Sequence, residues 1–361
     1  MHPKTPKYLG YRMPPEWHRH AATQLHWPSN RETWPGERLE RVKQVYLDII
    51  GVLHKYESIH LFIENQQVKD RVLELFDARK INLQHITFHL QQLNDVWARD
   101  CGPIFIRREL EGREQFAITD WEYNAWGGKY PPYEDDNLLP KYFAEKYGIK
   151  RFEPGMVLEG GSIEINGNGV LLTTESVLLN SNRNPDMSKK QIEQRLKNYL
   201  GIEKIIWLKQ GLAGDDTDGH IDDLARFLNE STILTMMAED PDDVNYKALQ
   251  QNLEILQQAT DQYGNKFTIE TLPLPMTRIE DITVDGSEYV PASYANFYVA
   301  NGVVLVPMYD ERLDRQALDL FEEYFPERDV AGINCADLVW GQGSIHCITQ
   351  QLYGINSQDI S

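Results

Sequence analysis

Apolar and polar positions change period repeatedly along this chain, and the changes predict alternating strands and helices. Residues 38–56 place Leu39, Val42, Val45, Ile49, Ile50 and Leu53 on one face of a helix. The run SIHLFIE at 58–64 predicts a strand, 66–79 a helix and 85–90 a further strand, after a short strand-like piece at 21–27. Ser188 and Gln191 make a capping box for a helix over 189–200 that Gly201 terminates. A strand at 205–208, a helix at 241–262, a strand at 269–274 and a helix at 312–324 follow. This alternation places the chain in the α/β class.

Five stretches share another pattern, in which polar and small residues run into an apolar strand. They begin at residues 97 (WARDCGPIFI), 158 (LEGGSIEING), 219 (GHIDDLARFL), 293 (SYANFYVANGVVLVP) and 341 (GQGSIHCITQQ). Repeated units of this kind predict one supersecondary element each, with their polar starts converging on a common axis. No low-complexity stretch or linker divides residues 1–361, so a single domain is expected.

The last stretch carries the candidate chemistry. Its glycines permit a close backbone approach, and the alternation after them predicts a strand with Cys347 near its start. A thiol there can be a nucleophile or a small buried hydrophobe. On a strand His346 would face away from Cys347, so a base has to come from elsewhere. The other stretches offer Asp100, Glu159 and Asp222, and His220 would share a strand face with Asp222. Thiol, imidazole and carboxylates together are the inventory of a cysteine-dependent hydrolase. The cation such carboxylates suit is a planar guanidinium. Once bound, it would offset the like-charge repulsion that raises the thiol pKa.

Composition excludes several other classes. The net charge of -19 argues against nucleic acid and anionic membrane as partners, since both need clustered Lys and Arg. No apolar run approaches the ~20 residues of a membrane span, and the N-terminal residues lack the apolar core of a signal peptide. Cys101, Cys335 and Cys347 are too dispersed for a disulfide framework, so a cytoplasmic location is expected. The acidic run 215–223 fails as a calcium loop: registering Gly219 at the invariant glycine puts Gly214 first and Ala225 twelfth. His85 and His89 lie on a predicted strand with no carboxylate partner, and no zinc ligand set is found. Cys101, beside Asp100 on a predicted strand, is expected to face away from the site. His18 and His20 are expected at the surface, and Glu134, Asp135 and Asp136 in a solvated loop. Trp97, Trp121 and Trp126 are expected in the core or along a substrate's alkyl chain.

Taken together, MPPEW (13–17), WARDCGP, YNAWGG (123–128), EGGSIE, TDGHIDD and GSIHCITQQ resemble the agmatine deiminase and bacterial peptidylarginine deiminase family, within the guanidino-group-modifying (pentein) superfamily. The resemblance spans nearly the whole chain and implies a five-bladed pseudo-symmetric α/β propeller. It implies that Cys347 attacks the guanidinium carbon, that His220 is the general acid/base, and that Asp100 and Asp222 bind the guanidinium nitrogens. Glu159 would orient His220 or the substrate, and Asn296 matches a substrate contact of the peptidylarginine branch. The implied course is a covalent amidino-thioether, loss of ammonia and hydrolysis to a ureido product, with no metal or organic cofactor. Agmatine would give N-carbamoylputrescine, a step towards putrescine and polyamines. The family pattern GGGNIHC is GQGSIHC here, RDTGP is often found where this chain has Cys101, and KYPPYEDD after WGG also departs. These changes leave peptide-bound and free arginine as alternative substrates. An amidinotransferase and a non-catalytic guanidinium-binding protein are the competing readings, and homo-oligomer formation is compatible with the sequence.

Overall fold

The computed structural model describes residues 4–275, 278–279, 282–283 and 286–355. Their strands form five small sheets. Four of these follow one plan: β4 (Ile104–Leu110), β5 (Arg113–Thr119) and β6 (Lys150–Phe152); β7 (Glu164–Ile165), β8 (Val170–Thr174) and β9 (Lys204–Leu208); β10 (Ala225–Asn229), β11 (Thr232–Met237) and β12 (Thr268–Pro273); β13 (Tyr298–Val299), β14 (Val303–Met308) and β15 (Asp329–Asn334). In each, the first strand pairs antiparallel with the second, and the second pairs parallel with the third. A parallel neighbour requires a long crossover, supplied by the helices Leu139–Tyr147, Lys189–Leu200, Tyr246–Gln258 and Glu311–Tyr324. The middle strands β8, β11 and β14 are buried almost throughout. That accounts for their near-continuous apolar sequences, since both faces are covered.

The fifth sheet joins the two ends of the chain. Its order is β16 (Gln350–Leu352), β1 (Ala22–His26), β2 (Ser58–Ile63) and β3 (Ile86–Leu90). β16 lies antiparallel to β1, with Ala22 opposite Leu352 and Gln24 opposite Gln350. A one-turn helix precedes the first strand of every blade: Ala98–Cys101, Gly160–Ser162, Ile221–Asp223, Tyr294–Asn296 and Ile345–Ile348. Each turn touches the next and the last touches the first, so the five form a ring around one axis. The architecture is the five-bladed pseudo-symmetric α/β propeller.

Several expectations need correction at this level. The segments carrying Asp100, Asp222 and Cys347 are helical turns and not strand starts, because a few alternating residues cannot distinguish one turn of helix from a strand. The helix expected at 241–262 is Tyr246–Gln258. Ahead of it, the Asp240 and Asp243 carboxylates accept backbone N–H bonds two residues on and hold turns. The helix expected at 38–56 ends at Leu53, where tighter turns take over. The capping box at Ser188 and Gln191 and the left-handed Gly201 are both present. His20 is buried and not at the surface: Nε2 meets the Glu16 carbonyl at 2.6 Å and Nδ1 meets Glu57 at 3.4 Å. Among the described residues no helix is long and apolar enough to cross a membrane.

Leu352 is fully buried at the seam between the chain ends. Leu352→Ala is expected to cost about 2–5 kcal/mol, read as a lower denaturant midpoint. An unchanged midpoint would show that closure of the ring does not depend on this contact.

Candidate active site

The ring of turns brings its polar residues to one end of the axis. Cys347 sits within Ile345–Ile348, and its turn is held by Asn296, whose Oδ1 accepts the backbone N–H of His346 (2.9 Å) and of Cys347 (3.4 Å). The Asn296 amide nitrogen donates to Cys347 Sγ at 3.1 Å and to Asp223 at 2.8 Å. Asp222 Oδ2 lies 3.8 Å from the sulfur. His220, at the start of the turn Ile221–Asp223, places Nδ1 3.7 Å from Asp100 Oδ1 and 3.9 Å from Asp222 Oδ1. Asp100 accepts from Gly161 N and from the Trp126 indole, each at 2.9 Å. A Cβ at Gly161 would lie 2.6 Å from His220 Nδ1 and 2.9 Å from Asp100 Oδ1, so the second glycine of EGGS leaves the space these two groups occupy. Ala125 to Gly128 all have left-handed φ, with Trp126 at 54°. A non-glycine residue there costs about 1–2 kcal/mol, and this strained turn is what delivers the indole to Asp100.

Beneath these groups lies a layer of compensated charge. Glu16 pairs with Arg99 (3.2 Å), Arg226 (3.1 Å) and His346 Nε2 (2.8 Å), while Arg226 also binds Glu164 at 2.8 Å. His346 Nδ1 reaches Asp222 Oδ2 at 2.7 Å. Burial raises the Glu16 pKa, but the charges of Arg226 and Arg99 and the hydrogen bond from His346 together hold it well below the usual range. On a second side Arg183, fully buried, binds Glu159 (2.5 Å) and Asp218 (2.6 Å).

The upper layer has no such compensation. Burial, aided by the Glu159 charge, pushes the Asp100 carboxyl up to about 7. Burial and then neighbouring carboxylates push Asp222 and Asp223 well above their usual range. The Cys347 thiol is raised by burial and then by Asp222, Asp223 and Asp100. Burial keeps His220 neutral, with Arg183 adding to the effect. Among the described residues, His220 Nε2, Asp222 Oδ1 and Glu159 Oε2 are buried here with no hydrogen-bond partner. Asp222, Asp223 and Cys347 form the one grouping of potential metal donors among the described residues. All three are already engaged, Asp222 by His346 and both Asp223 and Cys347 by Asn296.

A cavity of about 320 Å³ opens above Asp100 and Cys347. Its walls include Trp97, Tyr123, Trp126, Tyr130, Tyr133 and Trp340, with Asp95, Asp136 and Asp216 between them. Lys129 also reaches the wall, where Asp218 and the Asp216 carbonyl hold its ammonium. Trp97 packs against Trp34 and Trp126. A Cβ at Gly343 would lie 2.4 Å from its ring, the close approach expected of that glycine.

The structure brings Asp100, His220, Asp222 and Cys347 together and puts Trp97 in the cavity wall. Two expectations fare differently. Asn296, like His220 and Asp222, lies behind the cavity lining, and its amide is used on the nucleophile's turn and on Asp223. Glu159, expected to orient His220 or the substrate, bonds to Arg183 through Oε1, and its Oε2 has no hydrogen-bond partner among the described residues. Asp136, expected in solvent, is buried and lines the cavity, its carboxyl raised by burial to about 8. Trp121 packs in a core cluster away from the cavity. Cys101 is buried with its thiol on the Trp97 carbonyl at 3.2 Å. Sequence reasoning missed Glu16, Arg99, Arg183, Arg226, Asp218 and Asp223. MPPEW carried a signal for Glu16, whereas Arg183 lies outside every motif.

Comparison with known proteins places this geometry. The family profile described as Porphyromonas-type peptidyl-arginine deiminase matches residues 12–352. A Legionella pneumophila protein named as an agmatine deiminase is 38% identical over 347 residues, covering 96% of each chain. The structure of the Enterococcus faecalis agmatine deiminase superposes with a TM-score of 0.87 at 32% identity, covering 98% of both chains. That of the C. jejuni agmatine deiminase with substrate bound gives 0.82 at 30% identity, covering 96% of this chain and 97% of the other.

Removing Glu16 would leave Arg99 and Arg226 partly unpaired in the interior. Glu16→Leu is therefore expected to destabilise the fold by about 3–5 kcal/mol. Chemical denaturation checks this, and a variant as stable as the parent would show that the axis does not need the charge.

Proposed function

The chain belongs to the Porphyromonas-type peptidyl-arginine deiminase family, and on that premise we propose that it hydrolyses agmatine to N-carbamoylputrescine and ammonia. The observation that carries this reading is the buried pair Asp100 and Asp222 beside the thiol, with Asp100 and Cys347 lining a small cavity and Asp222 Oδ1 left without a hydrogen-bond partner among the described residues. A guanidinium offers five donors in one plane, which suits Asp100 and the free Oδ1 of Asp222. Burial and then carboxylate repulsion keep the Cys347 proton in place; the substrate's charge offsets the repulsion, so the thiolate forms when substrate arrives.

Cys347 then bonds to the guanidinium carbon. His220 takes up the thiol proton and passes it to the departing nitrogen, which leaves as ammonia, giving a cationic S-linked amidine. Water attacks this intermediate with His220 accepting its proton. The C–S bond breaks, His220 returns its proton to the thiolate, and the proton released as the ureido C=O forms passes to water, where it converts the ammonia already released to ammonium. Asn296 supports the reaction by holding the nucleophile's turn and donating to the sulfur. Glu159, fixed by Arg183, supplies negative charge close to Asp100.

The cavity favours agmatine over larger or more acidic substrates. At about 320 Å³ it lies at the small end of ligand pockets, a volume that takes a small guanidine whole. Aromatic faces suit both methylenes and cations. Asp136, neutral when alone, would be drawn to charge by a terminal ammonium. A tail ending in a carboxylate, as in free arginine, would instead meet Asp95, Asp136 and Asp216.

Purified protein supplied separately with agmatine, arginine and an internally arginine-containing peptide is expected to release ammonia and ureido product from agmatine. Cys347→Ala should abolish that release. Turnover of the peptide alone would move the protein to the peptidylarginine branch, and activity surviving in Cys347→Ala would remove the nucleophile assignment.

The pH dependence has a defined sign. Asp100 is raised to about 7, so it is neutral below that pH and charged above it. A cationic substrate requires the charged form, so kcat/KM should rise with pH through about 7 and fall on acidification. Bound substrate lowers this pKa, so the acid limb of kcat should lie at lower pH. A kcat/KM flat from about pH 5 to 8 would contradict this role for Asp100.

A further inference from the structure

His346 takes no part in the reaction as written, yet it is wedged between two carboxylates at hydrogen-bond distance. Nδ1 lies 2.7 Å from Asp222 Oδ2 and Nε2 lies 2.8 Å from Glu16 Oε2. Glu16 is a carboxylate held by Arg99 and Arg226, so it can only accept, and Nε2 must donate to it. Two charge states then fit the same heavy-atom positions at Nδ1. Either a protonated Asp222 donates to a neutral imidazole, or an imidazolium donates to an Asp222 carboxylate.

Both residues are shielded from solvent, with Asp222 0% and His346 1% exposed. A proton leaving Asp222 Oδ2 therefore has His346 Nδ1 as its immediate acceptor. We infer that His346 is a proton store for Asp222: it takes the Asp222 proton when a guanidinium enters and returns it when the neutral ureido product leaves. In the step an O–H bond on Asp222 breaks, an N–H bond on His346 Nδ1 forms, and no proton passes to solvent. His346 acts only through Asp222 and is thus a positioning residue. The inference rests on the reading of Asp222 as a guanidinium ligand.

The surrounding charges make the store responsive to substrate. Facing His346 are Asp222 from the turn before β10, Arg226 from β10, Glu16 from the N-terminal segment and Arg99 from the turn before β4, while Asp223 is linked to its turn only through Asn296. Cys347 adjoins it on its own turn, and Glu164 acts through Arg226. In the empty site burial, Arg226 and Arg99 keep the imidazole neutral, while burial and Asp100 keep the proton on Asp222. A guanidinium on Asp222 reverses the balance. Charges then alternate along the axis, from the arginines to Glu16, His346, Asp222 and the substrate, and each cation lies between anions where the low dielectric strengthens every contact.

Neutron diffraction from crystals of Cys347→Ala, with and without agmatine, reads these protons directly. The free protein should carry one on Asp222 Oδ2 and one on His346 Nε2, and the agmatine complex should carry them on both ring nitrogens. The same Nδ1 state in both would overturn the inference while leaving the agmatine reading intact. Failure of Cys347→Ala to bind agmatine would overturn both. In solution, adding His346→Gln to Cys347→Ala should force Asp222 to release its proton to water on binding. Agmatine affinity should then strengthen by an additional factor of about ten per pH unit relative to Cys347→Ala. An affinity lowered equally at every pH would mark His346 as merely structural and overturn the inference. Should the double variant not fold, the neutron result decides alone.

Discussion

Glu16 holds the propeller together at its centre. It reaches the axis from the N-terminal segment and contacts Arg99, Arg226, His346 and the backbone N–H of Val299. Those four groups belong to four different blades, and Arg226 extends the link to Glu164 in the remaining one. A buried ion pair gains little net stability over an apolar substitute, because desolvation offsets most of the Coulomb attraction. Its value here is positional. Five blades have to present their first turns at fixed mutual distances, and directional, charge-assisted bonds specify those distances better than apolar contact does.

From this arrangement the electrostatics of the site follow in layers. The lower layer pairs its acids with arginines. The upper layer has acids, a thiol and a neutral imidazole, with no cation among them. Burial alone would make any one of these groups neutral, and their crowding adds to that tendency. The empty site is consequently low in charge despite its composition, and acquires charge only with a partner. An acidic site that stays largely protonated until a cation arrives combines affinity for the substrate with a nucleophile that is inert in its absence.

The small elements matter more than the large ones for this chemistry. Helices and sheets supply the frame, yet every group at the floor of the site comes from a one-turn helix or its cap. Such short turns cannot stand alone, since nucleation is unfavourable. They persist because side chains from neighbouring turns satisfy their backbone: Asn296 takes two N–H groups of the nucleophile's turn, and Asp215 takes that of His220. The strained left-handed run at Ala125 to Gly128 has a comparable role, trading backbone energy for an indole placed on Asp100.

How much of this was legible beforehand differs by level. The alternation of periods and the five polar-to-apolar stretches by themselves determined the α/β class and the repeat, because burial of a strand on both faces and of a helix on one leaves a direct trace in residue order. Cys347, His220, Asp100 and Asp222 were legible because each lies in one of those stretches. The turns carrying them read as strands, since four residues hold too little periodicity to separate the two. Tertiary structure alone decided the partnerships: Arg183 with Glu159, Glu16 with four blades, Asn296 with the sulfur, and His346 between Asp222 and Glu16. These contacts join residues far apart in the chain, and a charge in the sequence carries no mark of whether it will meet water or an opposite charge. Its protonation is set by that meeting, so the chemistry of the site becomes defined only when the ring closes.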